Sequence, residues 1–354
     1  MTTSTVPTVD AELLAQVREL AAARADAVDR AELDVRPGLR DLGARGLLGL
    51  GAPDRRDGGL LPALHVVEAV ARGCLSTAFA LWAQRMAIEY LSRARDPDFA
   101  APLLTGLRTG EIIGSSAMAP ALKELSGLGT VPVRATPAPG GYRLTGVIPW
   151  ASNLFPGAVV VLPARVDAPG REHDRLIAAV RVGTPGFTVN EPPHLLALNG
   201  TASSSARLAD VHVPYAAVVA DDLAAFCGAL RPTFLLVQTA FCAGLAAESL
   251  DQAEQALTGA NTTLAGDVHA ARAALGSVRE RMTRFAAGDP DRAEVTRLRL
   301  DAANAALTAT RLEATLAGGA GYAARSPASR RLREAAFLPV QSPTEGHLRW
   351  DLSR

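Results

Sequence analysis

The feature that most limits what this chain can fold into is a double change of hydrophobic period. From Val9 to Leu107 the apolar residues recur at helical spacing; from Glu111 to about Val213 they alternate; from Ala217 the helical spacing returns. A chain patterned this way builds helices, then a sheet, then helices again, so the fold class is α+β. The first block predicts helices over 9–33, 35–50, 61–91 and 99–107. Leu13, Leu14, Val17, Leu20 and Ala21 give the first its apolar stripe. Ala69, Ala71, Gly73, Ser76, Ala78 and Ala80 let other helices approach the third closely. The middle block is rich in Val, Pro, Gly and Thr and predicts strands over 143–145, 159–161, 176–180 and 211–213. The last predicts helices over 224–257, 270–285, 293–316 and 327–337, with a break at Gly288, Asp289 and Pro290. Arg330, Arg331 and Arg333 are expected on solvated faces. The domains read as 1–110 (helical), 111–216 (β) and 217–354 (a helical bundle with apolar faces suited to a subunit interface).

Composition narrows the partners. Lys+Arg and Asp+Glu are both 36, so the net charge is zero and nothing favours nucleic acid or an anionic membrane. Cys74, Cys227 and Cys242 are far apart, without CxxC pairing, and read as buried small hydrophobes in a reducing compartment. The N-terminal stretch has no basic and apolar leader pattern, and no apolar run reaches the roughly 18 residues of a membrane span, so a cytoplasmic location is expected. No cluster has metal-ligand spacing.

One stretch stands out for chemistry, Gly140 to Asn153. Tyr142, Leu144 and Val147 sit on strand-like spacing with Gly146 as the turn residue, and the arm delivers Trp150, Ser152 and Asn153 into a loop. An aromatic wall beside a hydroxyl and an amide suits a flat, heteroatom-rich ligand. An ordinary hairpin end with one buried Trp reads equally well.

The layout and several local matches together resemble the acyl-CoA dehydrogenase family, from about Leu39 to Thr344. Leu42–Leu50 (LGARGLLGL), Pro53 and Gly58-Gly59-Leu60 resemble its N-terminal motif, and Gly110-Glu111 through Gly114 resembles the opening of its β-domain. Gly141–Gly146 with Trp150–Asn153 resembles GYxLNGxKxWITN. Leu198–Ser203 with Asp210–Pro214, and Gly318–Tyr322 with Pro327 and Leu332–Ala335, resemble later family motifs. The resemblance implies an N-terminal helical domain, a middle β-domain and a C-terminal four-helix bundle, with FAD bound between them. FMN or a loosely held reduced flavin stays open. It also implies a homodimer or homotetramer, with a heteromer as the alternative. Ser116, Trp150, Ser152, Asn153, Gly318, Gly319 and Thr344 are carried over as cofactor-binding positions, with Trp150 and Ser152 facing the flavin ring.

The departures bear on function. The family's proton-abstracting Glu falls on Ser342, and the position some members use instead falls on Phe234, with Leu235 in place of the adjacent Arg. Neither Ser nor Phe is a base near neutral pH. The family's Gly-rich flavin loop is replaced by Ser116–Pro120 and the run ALKELSGLG. The Arg that grips the neighbouring subunit's FAD is lost from Ala260–Leu264, and Thr315 replaces a Gln. Losing such a charge-assisted contact costs about 1.5–3 kcal/mol and weakens flavin binding. Glu345 and His347, just past the missing base, are the candidate catalytic groups; the alternative is a capping turn into a terminal helix. Arg85 and Glu89 form an i,i+4 pair, structural or guarding the substrate mouth. Three functions follow: a flavin-dependent oxidoreductase acting on an acyl thioester or related small molecule, a flavin-dependent monooxygenase on the same scaffold, or a non-catalytic subunit of a heteromeric dehydrogenase.

Overall fold

A computed structural model describes residues 9–354 apart from 56–58, 172 and 289. Gly58 and Asp289, both used in the sequence reading, lie outside the described residues. Five helices come first: α1 (Ala11–Asp29), α2 (Arg36–Ala44), α3 (Leu61–Gly73), α4 (Leu75–Leu91) and α5 (Pro97–Thr109). The 61–91 run is two helices, not one. Cys74 is extended (φ −157°, ψ 112°), ends α3, and caps α4 with its sulfur. Every residue of α4 is buried, which is why its sequence is apolar on all faces.

The middle segment is β1 (Gly114–Ser116), α6 (Ala119–Leu125), β2 (Arg134–Ala138), β3 (Gly141–Ala151), β4 (Val159–Val166), β5 (Arg175–Arg181), β6 (Phe187–Val189), β7 (Ser204–Pro214) and β8 (Val218–Ala220). The strands form one sheet in the order β6-β7-β3-β2-β4-β5-β8, with β1 parallel to β4. Gly146 is not a turn. It lies inside β3 at φ 148°, where the register against β7 shifts between Leu144 and Gly146. The extra residue of that bulge is on β7, between Leu208 and Val211, so the alternation of β3 runs on through Gly146: Leu144 and Ile148 face the core while Val147 is exposed. The turn of the hairpin is at Pro139–Gly140, and Trp150 sits on the strand itself.

The last segment is α7 (Leu223–Gln255), α8 (Ala265–Ala287), α9 (Arg292–Tyr322), α10 (Pro327–Ala335) and α11 (Glu345–Leu352). α7 is long and apolar enough to cross a membrane, but its most apolar stretch is wholly buried among the other helices. α9 continues past the expected end and kinks at Gly318, whose φ of 59° and ψ of −144° suit glycine. The three cysteines are free and buried; burial pushes the Cys227 thiol up to about 12.

Arg330 and Arg331 are buried rather than solvated. Arg331 pairs with buried Glu313, and Arg330 with buried Glu334. Arg85 and Glu89 are buried too, at 2.9 Å, and the guanidinium also donates to the carbonyls of Leu50 and Gly51, a structural arrangement. Gln84 beside them accepts from the Gly114 N–H and donates to the carbonyls of Leu107 and Ile112, pinning the sheet's first strand to α4.

Candidate functional site

The three segments meet around a cavity of about 750 Å³. The helical N-terminal segment supplies Phe79 and Trp82 from α4. The sheet supplies Ser116 and Trp150, the residues adjoining β3 and β7 supply Ser152 and Ser203, and α6 supplies Pro120 and Lys123. The C-terminal segment supplies Phe234, Arg333, Phe337, Gln341, Ser342 and Thr344. Its apolar wall is built by stacking: the rings of Phe79 and Trp82 are parallel at 5.5 Å, with Phe337 edge-on to Phe79 at 4.7 Å and Phe234 edge-on to Trp82 at 5.0 Å. The mouth is apolar as well, with Leu196 and Val340 each 65% exposed and Trp150 42% exposed. A cluster of exposed apolar side chains around a concavity marks a binding site.

The polar side of the wall is a set of hydroxyls. Ser152 is 4% exposed; its backbone carbonyl accepts from Ser115 Oγ at 2.6 Å, and its Oγ accepts from Ser203 Oγ at 2.9 Å. Ser203 Oγ is also 2.7 Å from Thr201 Oγ1, which donates to the Leu198 carbonyl, so the three hydroxyls form one chain along this wall. Ser116 Oγ is 2.9 Å from the hydroxyl of Tyr90, whose ionisation burial strongly opposes.

Of the residues singled out in the sequence, Ser116, Trp150, Ser152 and Thr344 come together here. Asn153 does not. It is fully buried in the left-handed region at φ 61°, and its amide donates to the carbonyls of Ala80 and Gly114, which ties the sheet to α4. Gly318 and Gly319 are exposed near the C-terminal end of α9, outside the cavity wall. Thr344 caps α11, accepting from the His347 N–H, and this turn carries Glu345 and His347 out of the wall. Glu345 pairs with Arg349 at 2.8 Å.

His347 is buried, with Nε2 at 2.8 Å from Ser126 Oγ, and Ser126 Oγ donates to Asp351 at 2.7 Å. A serine hydroxyl has one hydrogen, so Nε2 is the donor to Ser126 and Nδ1, without a partner among the described residues, is bare. Burial lowers the His347 pKa and favours this neutral form. The Ser–His–Asp set is not a nucleophilic triad, because the Asp binds the Ser instead of orienting Nδ1. It clasps α11 to the end of α6.

Ser342 and Phe234, the positions onto which the sequence resemblance puts the family's base, are in the cavity wall, and among the described lining residues there is no carboxylate and no imidazole. The charged lining residues are Lys123 and Arg333. Neither was among the candidate site residues read from the sequence. Lys123 is the single lysine in the 354 residues, a signal that was open to counting. Arg333, expected in solvent, pairs with Asp29 and reaches the Leu196 carbonyl.

No family model and no curated protein matches the sequence. Solved structures do match over nearly the whole length. The glutaryl-coenzyme A dehydrogenase glutaryl-CoA complex has a TM-score of 0.86 at 17% identity, over 97% of this chain and 93% of its own. This chain has the acyl-CoA dehydrogenase fold. PigA with FAD and proline has a TM-score of 0.82 at 18% identity over 96% of each chain. Dibenzothiophene monooxygenase (TdsC) from Paenibacillus sp. A11-2 has 0.72 at 17% identity, over 97% of this chain and 95% of its own. On the acyl-CoA dehydrogenase fold, the order of the motifs read from the sequence is the order of the three segments around the cavity.

Proposed function

We propose that this protein is a flavin-dependent oxidoreductase acting on an acyl thioester or a related small molecule. The observation that carries the reading is the cavity built by all three segments, with Trp150 and the hydroxyls of Ser116, Ser152 and Ser203 on the sheet side. The residues present fit FAD at its ring: Trp150 offers an aromatic face, Ser152 a buried hydroxyl, and Ser116 a second hydroxyl on the cavity wall. When bound there, FAD supplies two-electron redox chemistry. The stacked rings of Phe79, Trp82, Phe234 and Phe337 exclude water from the reacting end. A glutaryl-CoA complex, a complex with FAD and a monooxygenase on the same fold support this class of chemistry.

The missing carboxylate favours a second reading, oxygenation, in which a dry pocket and hydrogen bonds to the flavin matter more than a base. The reactions separate cleanly. FAD-loaded protein is mixed anaerobically with butyryl-CoA and followed by absorbance. Bleaching of the flavin supports desaturation; an unbleached flavin that, once reduced and exposed to oxygen, is reoxidised with hydroxylation of an added aromatic substrate supports oxygenation. Failure to retain FAD at saturation contradicts both and leaves a non-catalytic subunit. For the assembly we carry the homo-oligomer: Tyr322, 89% exposed beside the Gly318 kink, is an aromatic residue suited to a subunit contact.

A further inference from the structure

Behind the cavity wall lies Arg299, 1% exposed. Its partners are all neutral: Gln238 Oε1 at 2.9 Å, the Leu338 carbonyl at 3.1 Å and Gln341 Oε1 at 3.1 Å. Among the described residues no carboxylate pairs with it. A buried cation without a counter-ion is costly, and proteins rarely leave one so. A guanidinium only donates, so Gln238 and Gln341 must each turn Oε1 toward it. Gln238 then spends its Nε2 on the Ser342 carbonyl at 3.0 Å, which fixes the wall. Gln341 has Nε2 left over. That donor, in a residue 4% exposed, is buried without a partner among the described residues, and so is Ser342 Oγ. Both residues line the cavity. Where the resemblance puts an acceptor carboxylate, this chain therefore puts two unused hydrogen-bonding groups, one of them on a side chain that accepts from a buried cation. The chain's single lysine, Lys123, lines the same cavity.

We propose that the Gln341–Ser342 end of the cavity receives a carboxylate carried by the substrate, on a body flat and apolar enough to lie among Phe79, Trp82, Phe234 and Phe337. Gln341 Nε2 and Ser342 Oγ donate to it, Arg299 supplies the compensating charge through Gln341, and Lys123 is a second cation for the same anion. The anion completes an electrostatic arrangement that the fold leaves unbalanced. The inference takes the cavity as the substrate cavity of the function proposed above, but its test runs first without flavin.

The probe is benzoate, with benzamide as its neutral isostere, titrated calorimetrically into the full chain. Benzoate is expected to bind at least about tenfold tighter than benzamide, the usual worth of a charge-assisted hydrogen bond. Gln341→Met and Ser342→Ala should each cost about tenfold in benzoate affinity and little in benzamide affinity. Lys123→Met should cost about two- to fivefold, shrinking with salt. Ser342→Ala and Lys123→Met keep the test usable if Gln341→Met fails to fold. The titration is repeated with FAD-loaded protein. Benzoate binding that persists there assigns the site to the substrate; binding abolished by FAD means that the flavin itself occupies the site and overturns the proposal. Equal affinities for benzoate and benzamide, no binding of either, or wild-type benzoate affinity in Ser342→Ala and Lys123→Met together also overturn it. Loss of FAD retention with benzoate binding intact would fault the flavin reading alone.

Discussion

At the residue scale, similar side chains were sorted into opposite roles by a few ångströms of backbone. Ser152 and Asn153 are neighbours in one motif, yet Ser152 meets the cavity and Asn153 is consumed in holding two carbonyls. Glu345 and His347 were the chemically apt candidates, and the turn at Thr344 takes them to other partners. The His347 clasp has a pH signature. Burial depresses the His347 pKa in the fold, so its contribution to stability is complete above the unfolded value of about 6.5 and declines as pH falls below it. Asp351 adds to this at lower pH: burial opposes its charge, but the Ser126 hydroxyl and Arg231 prevail and hold its carboxyl below the usual range, so its contribution is lost on further acidification. The thermal midpoint of the wild type should therefore drop between about pH 7.5 and about pH 5.5, and His347→Gln, which cannot titrate, should flatten that drop. Parallel curves for the two proteins would contradict the assignment. Residue type alone said what His347 could do; only its partners, remote in sequence, say what it does.

At the scale of elements, long periodic segments were legible because a helix or strand that buries a face must write that face into its sequence. The 143–145, 159–161, 176–180 and 211–213 strands lie within β3, β4, β5 and β7 for that reason. Local backbone events carry less pattern. Gly146, opposite the bulge of β7, looks like a turn residue, since a turn also calls for a glycine with positive φ. The short helix α6 sits inside a segment otherwise read as β, although Pro120 at its first turn and the run ALKEL are helix-favouring. Gly244 in α7 has a packing reason: a Cβ there would come within 2.3 Å of the Glu68 carbonyl, where α7 meets α3. Gly244→Ala should destabilise the protein by about 1–3 kcal/mol by forcing α7 away from α3. Urea unfolding measures it; an unchanged midpoint would mean that the helices part without cost.

At the scale of the whole molecule, the cavity exists only because segments far apart in the chain converge. Phe79 and Trp82 come from one end, Trp150 and Ser152 from the middle, and Phe234, Phe337 and Ser342 from the other end. The fold was readable from the order of weak motifs, each spread over its own segment. The aromatic cluster and the Arg299 network were not, because their members share no local pattern and become neighbours only in three dimensions. The polarity of the site is likewise a property of the whole: a sheet-side wall of hydroxyls, a helix-side wall of rings, and cations in place of a carboxylate. The most direct test is the visible difference spectrum of the protein titrated with FAD, beside the variant carrying Trp150→Ala and Ser152→Ala. A flavin seated against that wall should show a perturbed spectrum in the wild type and lose about tenfold or more in affinity in the variant. A spectrum of free flavin at saturating FAD, or equal binding by both proteins, would contradict it.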